Sequence, residues 1–361
     1  MVRIARLLLA VMLTLMFAGC SRARDDVSGE KNEYRNAFIP SVPTATAFVN
    51  ETHGWIGATD GIWYTEDGGR TWTHQLPSQA PVIRVEFLDF QNGLALTQAS
   101  TVLSTKDGGK DWVTAEIPGV SLRAVDFVSP GHVVATDANG LLVSRDGGTT
   151  WDRIGSPLAL ADLDFVSEEE GWAAGEGKIW HTRNGGKSWS AQLTLPEPDK
   201  WLGHTFVRFT TENTGWVLFS LGQGAGSQEP YVLYSTTDAG QTWIPQLIGD
   251  WPWPFEVEAP GAPQGPGGYP VAFDAWADTA WVAVYSPAAG HLEVVRVTIG
   301  EAPVASDKIP IGDPRKPTVD ISFVDTKTGW LVVSDSEHRK TAILRSDDGG
   351  NSWLDAIERP K

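Results

Sequence analysis

Short apolar runs broken by glycine, aspartate and asparagine recur along the chain from about residue 41 onward. In the first set the runs cover residues 45–49, 54–58, 61–65 and 71–74. Apolar runs of this length, separated by turn residues, are typical of antiparallel strands. The pattern therefore predicts a four-stranded antiparallel meander as the unit of the fold.

An eight-residue turn is predicted between the third and fourth strands of this unit. It occurs six times, as TEDGGRTW (65–72), TKDGGKDW (105–112), SRDGGTTW (144–151), TRNGGKSW (182–189), TTDAGQTW (236–243) and SDDGGNSW (346–353). The lead side chain suits an acceptor of backbone N–H bonds in a tight turn, and the glycines supply positive φ. The closing tryptophan is expected to place apolar area between neighbouring sheets. The lead residues, which we predict to be structural, are Asp67, Asp107, Asp146, Asn184, Asp238 and Asp348.

A second pattern, a phenylalanine followed about seven residues later by Gly-Trp, counts the repeats. Clear copies are Phe48/Trp55, Phe165/Trp172, Phe209/Trp216 and Phe323/Trp330, and weaker ones are Phe87/Leu94, Phe127/Val133 and Phe273/Trp281. The last weak copy marks a unit over roughly 271–306 that has lost its eight-residue turn. Seven sheets at a period near forty residues favour a closed, all-β, seven-bladed β-propeller, because radial repetition protects strand edges.

The repeated turn resembles the Asp-box, or bacterial neuraminidase repeat, of sialidases and sortilin-type receptors. Combined with the Phe…Gly-Trp pattern, it is most similar to the photosystem II stability and assembly factor family over about residues 41–357. That resemblance implies a seven-bladed propeller. It also implies partner binding through an arginine-rich face, matched here by Arg84, Arg123 and Arg208.

The N-terminus has the features of a bacterial lipoprotein signal. Arg3 and Arg6 precede an uncharged apolar stretch, residues 7–17, that is too short to span a bilayer. It ends in Phe-Ala-Gly-Cys, which resembles a lipobox with Cys20, the only cysteine, as the lipidated residue. We therefore expect a signal peptide (1–19), a lipidated cysteine and polar tether (20–40), and a propeller (41–361) on the outer side of the cell membrane. Residues 34–39 could instead add an edge strand to the last blade.

Charge narrows the range of partners. The formal net charge is −17, and removing residues 1–19 with their two arginines makes it −19. Such a surface repels phosphate backbones, so nucleic acid is not expected as a partner. No metal-ligand spacing, phosphate loop or sialidase-type arginine motif is found, and we predict no metal, no cofactor and no catalytic residue.

Charged residues just before the phenylalanine of several units are predicted to line the central channel. They either pair with one another and face channel water, or they hold a cation. The candidates are Arg84, Glu86, Arg123, Asp126, Asp162, Asp164, Arg208 and Asp320.

Insertions into the repeat should all emerge on the face opposite the Asp-box turns. They cover residues 195–204, 222–230 and 247–270. Proline-stiffened aromatics there suit recognition, but they could equally fold back and plug the channel. The candidate contacts are Trp201, His204, Trp251, Trp253, Phe255 and Tyr269. We thus expect a non-catalytic scaffold for an envelope or membrane protein. The alternative is a carbohydrate-active propeller that binds or hydrolyses glycans.

Overall fold

The structure is a computed structural model. It describes residues 41–117, 121–154, 158, 160–201, 203–222, 228–249, 259, 261–311, 317–335 and 340–356. Within this part of the chain, seven sheets follow one another in sequence order, each built from consecutive strands that pair antiparallel except at one edge of the fifth sheet. The first strands of successive sheets contact each other around a central axis. The predicted all-β, seven-bladed propeller is confirmed.

The first four blades each have four strands, ordered from the channel outward. Their bounds are β1 Pro43–Phe48, β2 Gly54–Ala58, β3 Gly61–Thr65 and β4 Thr73–Pro77; β5 Val82–Phe87, β6 Gly93–Thr97, β7 Thr101–Thr105 and β8 Val113–Glu116; β9 Ala124–Ser129, β10 His132–Asp137, β11 Gly140–Ser144 and β12 Asp152–Ile154; β13 Asp162–Phe165, β14 Gly171–Gly175, β15 Lys178–Thr182 and β16 Ser190–Thr194.

Blades five and six depart from this plan. In blade five β21 adds a parallel strand beside β20, and in blade six β25 and β26 both pair with β24. A 3₁₀ turn, Pro198–Lys200, precedes blade five. Blade five consists of β17 Thr205–Phe209, β18 Gly215–Ser220, β19 Tyr231–Thr236, β20 Ile244–Gly249 and β21 Gln264–Gly265. Blade six consists of β22 Tyr269–Trp276, β23 Thr279–Ser286, β24 His291–Thr298, β25 Val304–Ala305 and β26 Ile309–Pro310. Blade seven returns to four strands, β27 Thr318–Phe323, β28 Gly329–Asp335, β29 Lys340–Ser346 and β30 Leu354–Asp355.

The Phe…Gly-Trp pattern is explained by packing between blades. The Phe48 ring stacks on Trp330 of the preceding blade, with centroids 3.7 Å apart and planes at 1°. The same ring covers Gly54 of its own blade so closely that a Cβ there would lie 2.3 Å from it. Only glycine fits beneath the ring. The equivalent stacked pairs are Trp55–Phe87, Trp172–Phe209 and Trp281–Phe323.

The second-strand tryptophans, more than the Asp-box tryptophans, join neighbouring blades. The Trp330 indole donates to Gly68 O in the Asp-box of the next blade at 2.9 Å, and Trp281 donates to Gly349 O in the same way. Trp72, which closes an Asp-box, instead donates to Gly69 O within its turn and meets Phe48 of its own blade edge-on. The ring closes by such packing, because β1 lies against β27 and β28 of the last blade.

Candidate functional site

Each Asp-box side chain is used within its own hairpin. In blade three, Asp146 Oδ1 accepts the N–H groups of Thr149 and Thr150 at 3.0 and 2.8 Å, and Oδ2 accepts the Thr150 hydroxyl at 2.6 Å. The hydrogen bonds from Thr150 lower the pKa of Asp146 to about 2. Gly147 and Gly148 take φ values of 78° and 93°, which favour glycine. The pKa is also lowered at Asp67, Asp107, Asp238 and Asp348.

Asn184 fills the same position in blade four with an amide. Its Oδ1 accepts the Ser188 N–H at 2.9 Å, and its Nδ2 donates to the Ser188 hydroxyl at 2.8 Å. The turn therefore needs two acceptor sites or an acceptor and a donor, but not a charge.

Channel carboxylates accept hydrogen bonds from the next blade. The innermost strand of a blade has a sheet neighbour on one side only, so the N–H groups of its other edge need acceptors. Asp164 Oδ2 accepts Phe209 N at 2.6 Å. The other contacts of this kind are Asp126 with Phe165 N (2.7 Å), Asp162 with Val207 N (3.0 Å), Asp274 with Phe323 N (2.7 Å) and Asp320 with Thr46 N (2.7 Å).

Two arginines sit among these carboxylates. Arg84 contacts Glu86 at 2.8 Å and Asp162, two blades away, at 3.5 Å. Arg208 lies 3.5 Å from Asp164. Together these ion pairs connect blades two, four and five across the channel. Burial raises the pKa of Asp162 despite both arginines, and it raises the pKa of Asp320 to about 7.

The channel contains an open cavity of about 430 Å³. Among its lining residues are the predicted channel residues Arg84, Glu86, Asp162, Arg208 and Asp320, together with His204. Asp126 and Asp164 are fully buried, at 0% exposure, and are absent from the lining. Arg123 is exposed and also lies outside the lining. The predicted set therefore divides into a group that faces the cavity and a group that does not.

Asp274 also lines the cavity, and the sequence analysis missed it. The weak copy Phe273/Trp281 identified the correct blade, but Phe273 pairs with Val282 and Ala275 occupies the usual phenylalanine position. Asp274 is paired with Trp281, as Asp164 is with Trp172. Counting back from the tryptophan, instead of from the phenylalanine, would have found it.

The described parts of the insertions lie on one face, which we call the loop face, opposite the Asp-box turns. Glu229 N, before the third strand of blade five, bonds to Gly268 O in the link to blade six. Tyr231 Oη bonds to Pro266 O of the same link at 2.9 Å. The link and the blade-five insertion are therefore in contact at this face.

The candidate contact residues differ in exposure. Trp201 is 1% exposed, donates to Pro196 O at 2.9 Å and packs in the core between blades four and five, so its ring is not available to a partner. His204 lines the cavity with its ring parallel to Phe206 at 5.9 Å. Tyr269 is half-buried at the start of β22. Trp251, Trp253 and Phe255 lie outside the described residues, as does Cys20.

The described residues contain no group of three or more His, Cys, Asp or Glu side chains placed to hold a metal ion. They also contain no helix long and apolar enough to span a membrane.

Fold and site together define an Asp-box β-propeller whose channel carboxylates hold its blades together. The family model described as "Photosynthesis system II assembly factor YCF48" matches residues 73–160. The photosystem II assembly lipoprotein Ycf48 of Synechococcus sp. (strain CC9902) is 29% identical over 131 residues, covering 33% of this chain and 39% of that relative. The photosystem II assembly protein Ycf48 of Thermosynechococcus vestitus is 28% identical over 277 residues, covering 59% and 74%. The predicted resemblance is confirmed: the chain is a propeller like the photosystem II assembly factors.

Solved structures agree on the fold. A structure of YCF48 bound to D1 peptide has a TM-score of 0.54 at 16% identity, covering 88% of this chain and 98% of that one. An ancestral GH74 enzyme has a TM-score of 0.52 at 10% identity, covering 92% and 49%. At such identities the likeness concerns the fold alone.

Proposed function

We propose that the protein is a non-catalytic assembly scaffold that binds a segment of a membrane protein on its loop face, at the mouth of the channel. The observation that carries the proposal is the position of the insertions. Their described residues leave the repeat on the face where His204 lines the cavity. A recognition surface built from loops on a rigid scaffold is the usual arrangement in binding proteins.

The relatives support a scaffold of this kind. Those reported above are named as photosystem II assembly proteins, and the neighbouring YCF48 structure holds a D1 peptide. By analogy, the partner of this chain is a membrane protein that presents a peptide segment.

The state of the channel carboxylates argues against glycoside hydrolysis. A hydrolase needs two carboxyl groups about 5–10 Å apart that are free to act on a bound sugar. Asp162, Asp274 and Asp320 each hold a backbone N–H of the next blade. A group fixed in this way serves the fold, and the carbohydrate-active alternative is not favoured.

The loop-face assignment is tested by cross-linking in membranes. Alanine replacement of Trp251, Trp253 and Phe255 should abolish capture of the cross-linked partner. The matched control replaces three exposed apolar residues away from the loop face, Phe90, Ile244 and Leu354, and should leave capture unchanged. Equal capture by both triple variants would contradict the assignment.

We also propose that Cys20 anchors the scaffold to the extracytoplasmic face of the membrane. The lipobox-like Phe-Ala-Gly-Cys sequence supports this, and acyl chains on one cysteine can hold a protein to a bilayer. Cys20→Ser should move the protein from the membrane to the soluble fraction while its thermal unfolding stays unchanged. Membrane retention of the serine variant would refute the anchor.

A further inference from the structure

We propose that a glycine-containing turn of another protein docks between blades five and six, where its backbone carbonyl accepts a hydrogen bond from Gln246. This site lies on the face that carries the Asp-box turns, which we call the Asp-box face. It is opposite the loop face, so the inference adds a second contact and does not rest on the function proposed above.

Blade one shows the complete form of the contact. The Trp55 indole donates to Gln75 Oε1 at 3.2 Å, and Gln75 Nε2 donates to Gly108 O in the Asp-box of blade two at 2.8 Å. We call this pair of hydrogen bonds the glutamine relay. It provides a buried indole N–H with an acceptor and connects that acceptor to a carbonyl of the next blade.

Blade four repeats the glutamine relay. Trp172 donates to Gln192 Oε1, and Gln192 Nε2 donates to Ala239 O in the Asp-box of blade five, both at 3.0 Å. In both blades the glutamine is the extra residue of a β-bulge in the outer strand. From this position a glutamine reaches the tryptophan of its own blade and the Asp-box of the next.

Blade five has the tryptophan and the glutamine of a relay but no acceptor beyond them. Gln246 is the bulged residue of its outer strand, and Trp216 has the same register as the other two tryptophans. Blade six carries only a short turn around Gly300 where an Asp-box would be. The Trp216 indole is 0% exposed and has no hydrogen-bond partner in the part of the chain that the structure describes. Gln246 Nε2 donates instead to Ser235 Oγ of its own blade, at 2.9 Å.

An outside carbonyl would complete this relay. Gln246 is half-buried, and a Cβ added to Gly300 would meet no described atom within 4 Å, so the position of the missing Asp-box is open. A carbonyl placed there draws Gln246 Nε2 away from Ser235 and lets its Oε1 accept the Trp216 N–H. One hydrogen bond is then exchanged for two, and a buried donor that was unsatisfied gains an acceptor.

The two complete relays specify the chemistry of the occupant. In each of them the residue after the acceptor carbonyl is a glycine, Gly109 or Gly240, with a φ of 85° or 78°. A Cβ on either glycine would collide with the side-chain amide of the relay glutamine, Gln75 or Gln192. The docked segment must therefore present a carbonyl followed by a glycine in the left-handed region, as a tight turn does.

The test uses the full-length protein in detergent, with ¹⁵N-labelled tryptophan indoles, and a cyclised hairpin peptide containing residues 105–112 as the probe. The spectrum of Trp216→Phe identifies the Trp216 indole signal. We expect the indole proton of Trp216 to move downfield and saturate during the titration, because it gains an acceptor. A control probe with alanine in place of Gly109 should bind at least about tenfold more weakly, because its Cβ collides with Gln246.

Two variants of the relay should change binding of the probe in opposite directions. Gln246→Leu should abolish the shift of the Trp216 signal, whereas Gln91→Leu, the same change at an exposed residue of the Asp-box face, should retain it. Ser235→Ala removes the competing acceptor of Gln246 and should tighten binding several-fold. This second variant keeps the test decisive if Gln246→Leu fails to fold.

The inference is overturned if the Trp216 signal does not move, if the two probes bind equally, or if Ser235→Ala leaves the affinity unchanged. Sedimentation velocity of the protein without probe distinguishes a turn of another protein from a second copy of this chain. Self-association of the wild type that is lost in Gln246→Leu would overturn the assignment to another protein. A monomeric wild type that binds the probe supports it.

Discussion

The carboxylates of the Asp-boxes and those of the channel form the same kind of hydrogen bond in opposite surroundings. Both accept backbone N–H groups. Asp146 serves its own turn, four residues away, near the surface, and its pKa falls to about 2. Asp320 serves Thr46 in another blade, deep in the channel, and its pKa rises to about 7. Hydrogen bonding dominates in the first region and burial in the second.

The Asp-box carboxylates and the channel carboxylates stabilise different parts of the propeller. Asp-box hydrogen bonds stabilise a hairpin, so each contributes locally and tolerates an amide at Asn184. Channel hydrogen bonds join one blade to the next, so the loss of one affects the interface between two sheets.

Asp164→Ala should cause the largest loss. It removes the acceptor of the Phe209 N–H and the carboxylate nearest to the partly exposed Arg208. Leaving a buried donor unsatisfied costs about 1–3 kcal/mol, and the lost ion pair adds to this. The free energy of unfolding in urea measures the loss, and Asp164→Asn, which can still accept the N–H, should lose less. A change below about 1 kcal/mol for alanine would mean that the channel network is dispensable.

Asp320→Asn should change the pH dependence of stability. Folded Asp320 keeps its proton up to about pH 7, whereas an unfolded aspartate loses it near pH 3.9, so the wild-type contribution falls as pH rises between these values. The asparagine variant lacks this term and should gain stability relative to wild type from pH 4 to 7. Urea denaturation at several pH values measures the difference, and parallel curves for the two proteins would contradict the raised pKa.

Asp146→Ala should cost about 1 kcal/mol, similar to the loss of a helix N-cap. The opposite sign of its pKa shift gives a second test. Because folded Asp146 ionises at a lower pH than the unfolded residue, its contribution is present above about pH 4 and lost as pH falls toward 2. Thermal unfolding at pH 3 and pH 7 should show a smaller gap between variant and wild type at pH 3. An equal stability difference between variant and wild type at both pH values would show that the charge of Asp146 does not stabilise the turn.

Asn184→Asp should have the smallest effect, a gain of about 0.5 kcal/mol, because charged acceptors form stronger hydrogen bonds. The aspartate would accept the Ser188 hydroxyl as Asp146 accepts that of Thr150. The reverse change, Asp146→Asn, should lose a similar amount. Urea denaturation compares the two, and a loss for Asn184→Asp would show that the amide donor matters in blade four.

The sequence predicted the blades well, including blade six without its Asp-box, because each blade folds from neighbouring residues and repeats its turn chemistry. It predicted the channel only in part. Asp274 was missed because blade six carries alanine at the usual phenylalanine position, and Arg123 was included although it lies outside the cavity lining. The position of a residue before the phenylalanine predicts its place along the first strand. It does not predict how far its side chain lies from residues of other blades across the channel.

The amino-acid sequence by itself determined the number of blades, the Asp-box hydrogen bonds and the shared face of the insertions, because all of these follow from turns and strand order. Only the tertiary structure decided which charges meet in the channel, which tryptophan is buried and which buried groups lack a partner. The reason is that the contacts between blades join residues from about 40 to more than 270 positions apart, as Asp126 with Phe165 and Asp320 with Thr46 show. Closure of the ring brings such residues together, and no local pattern encodes their distances.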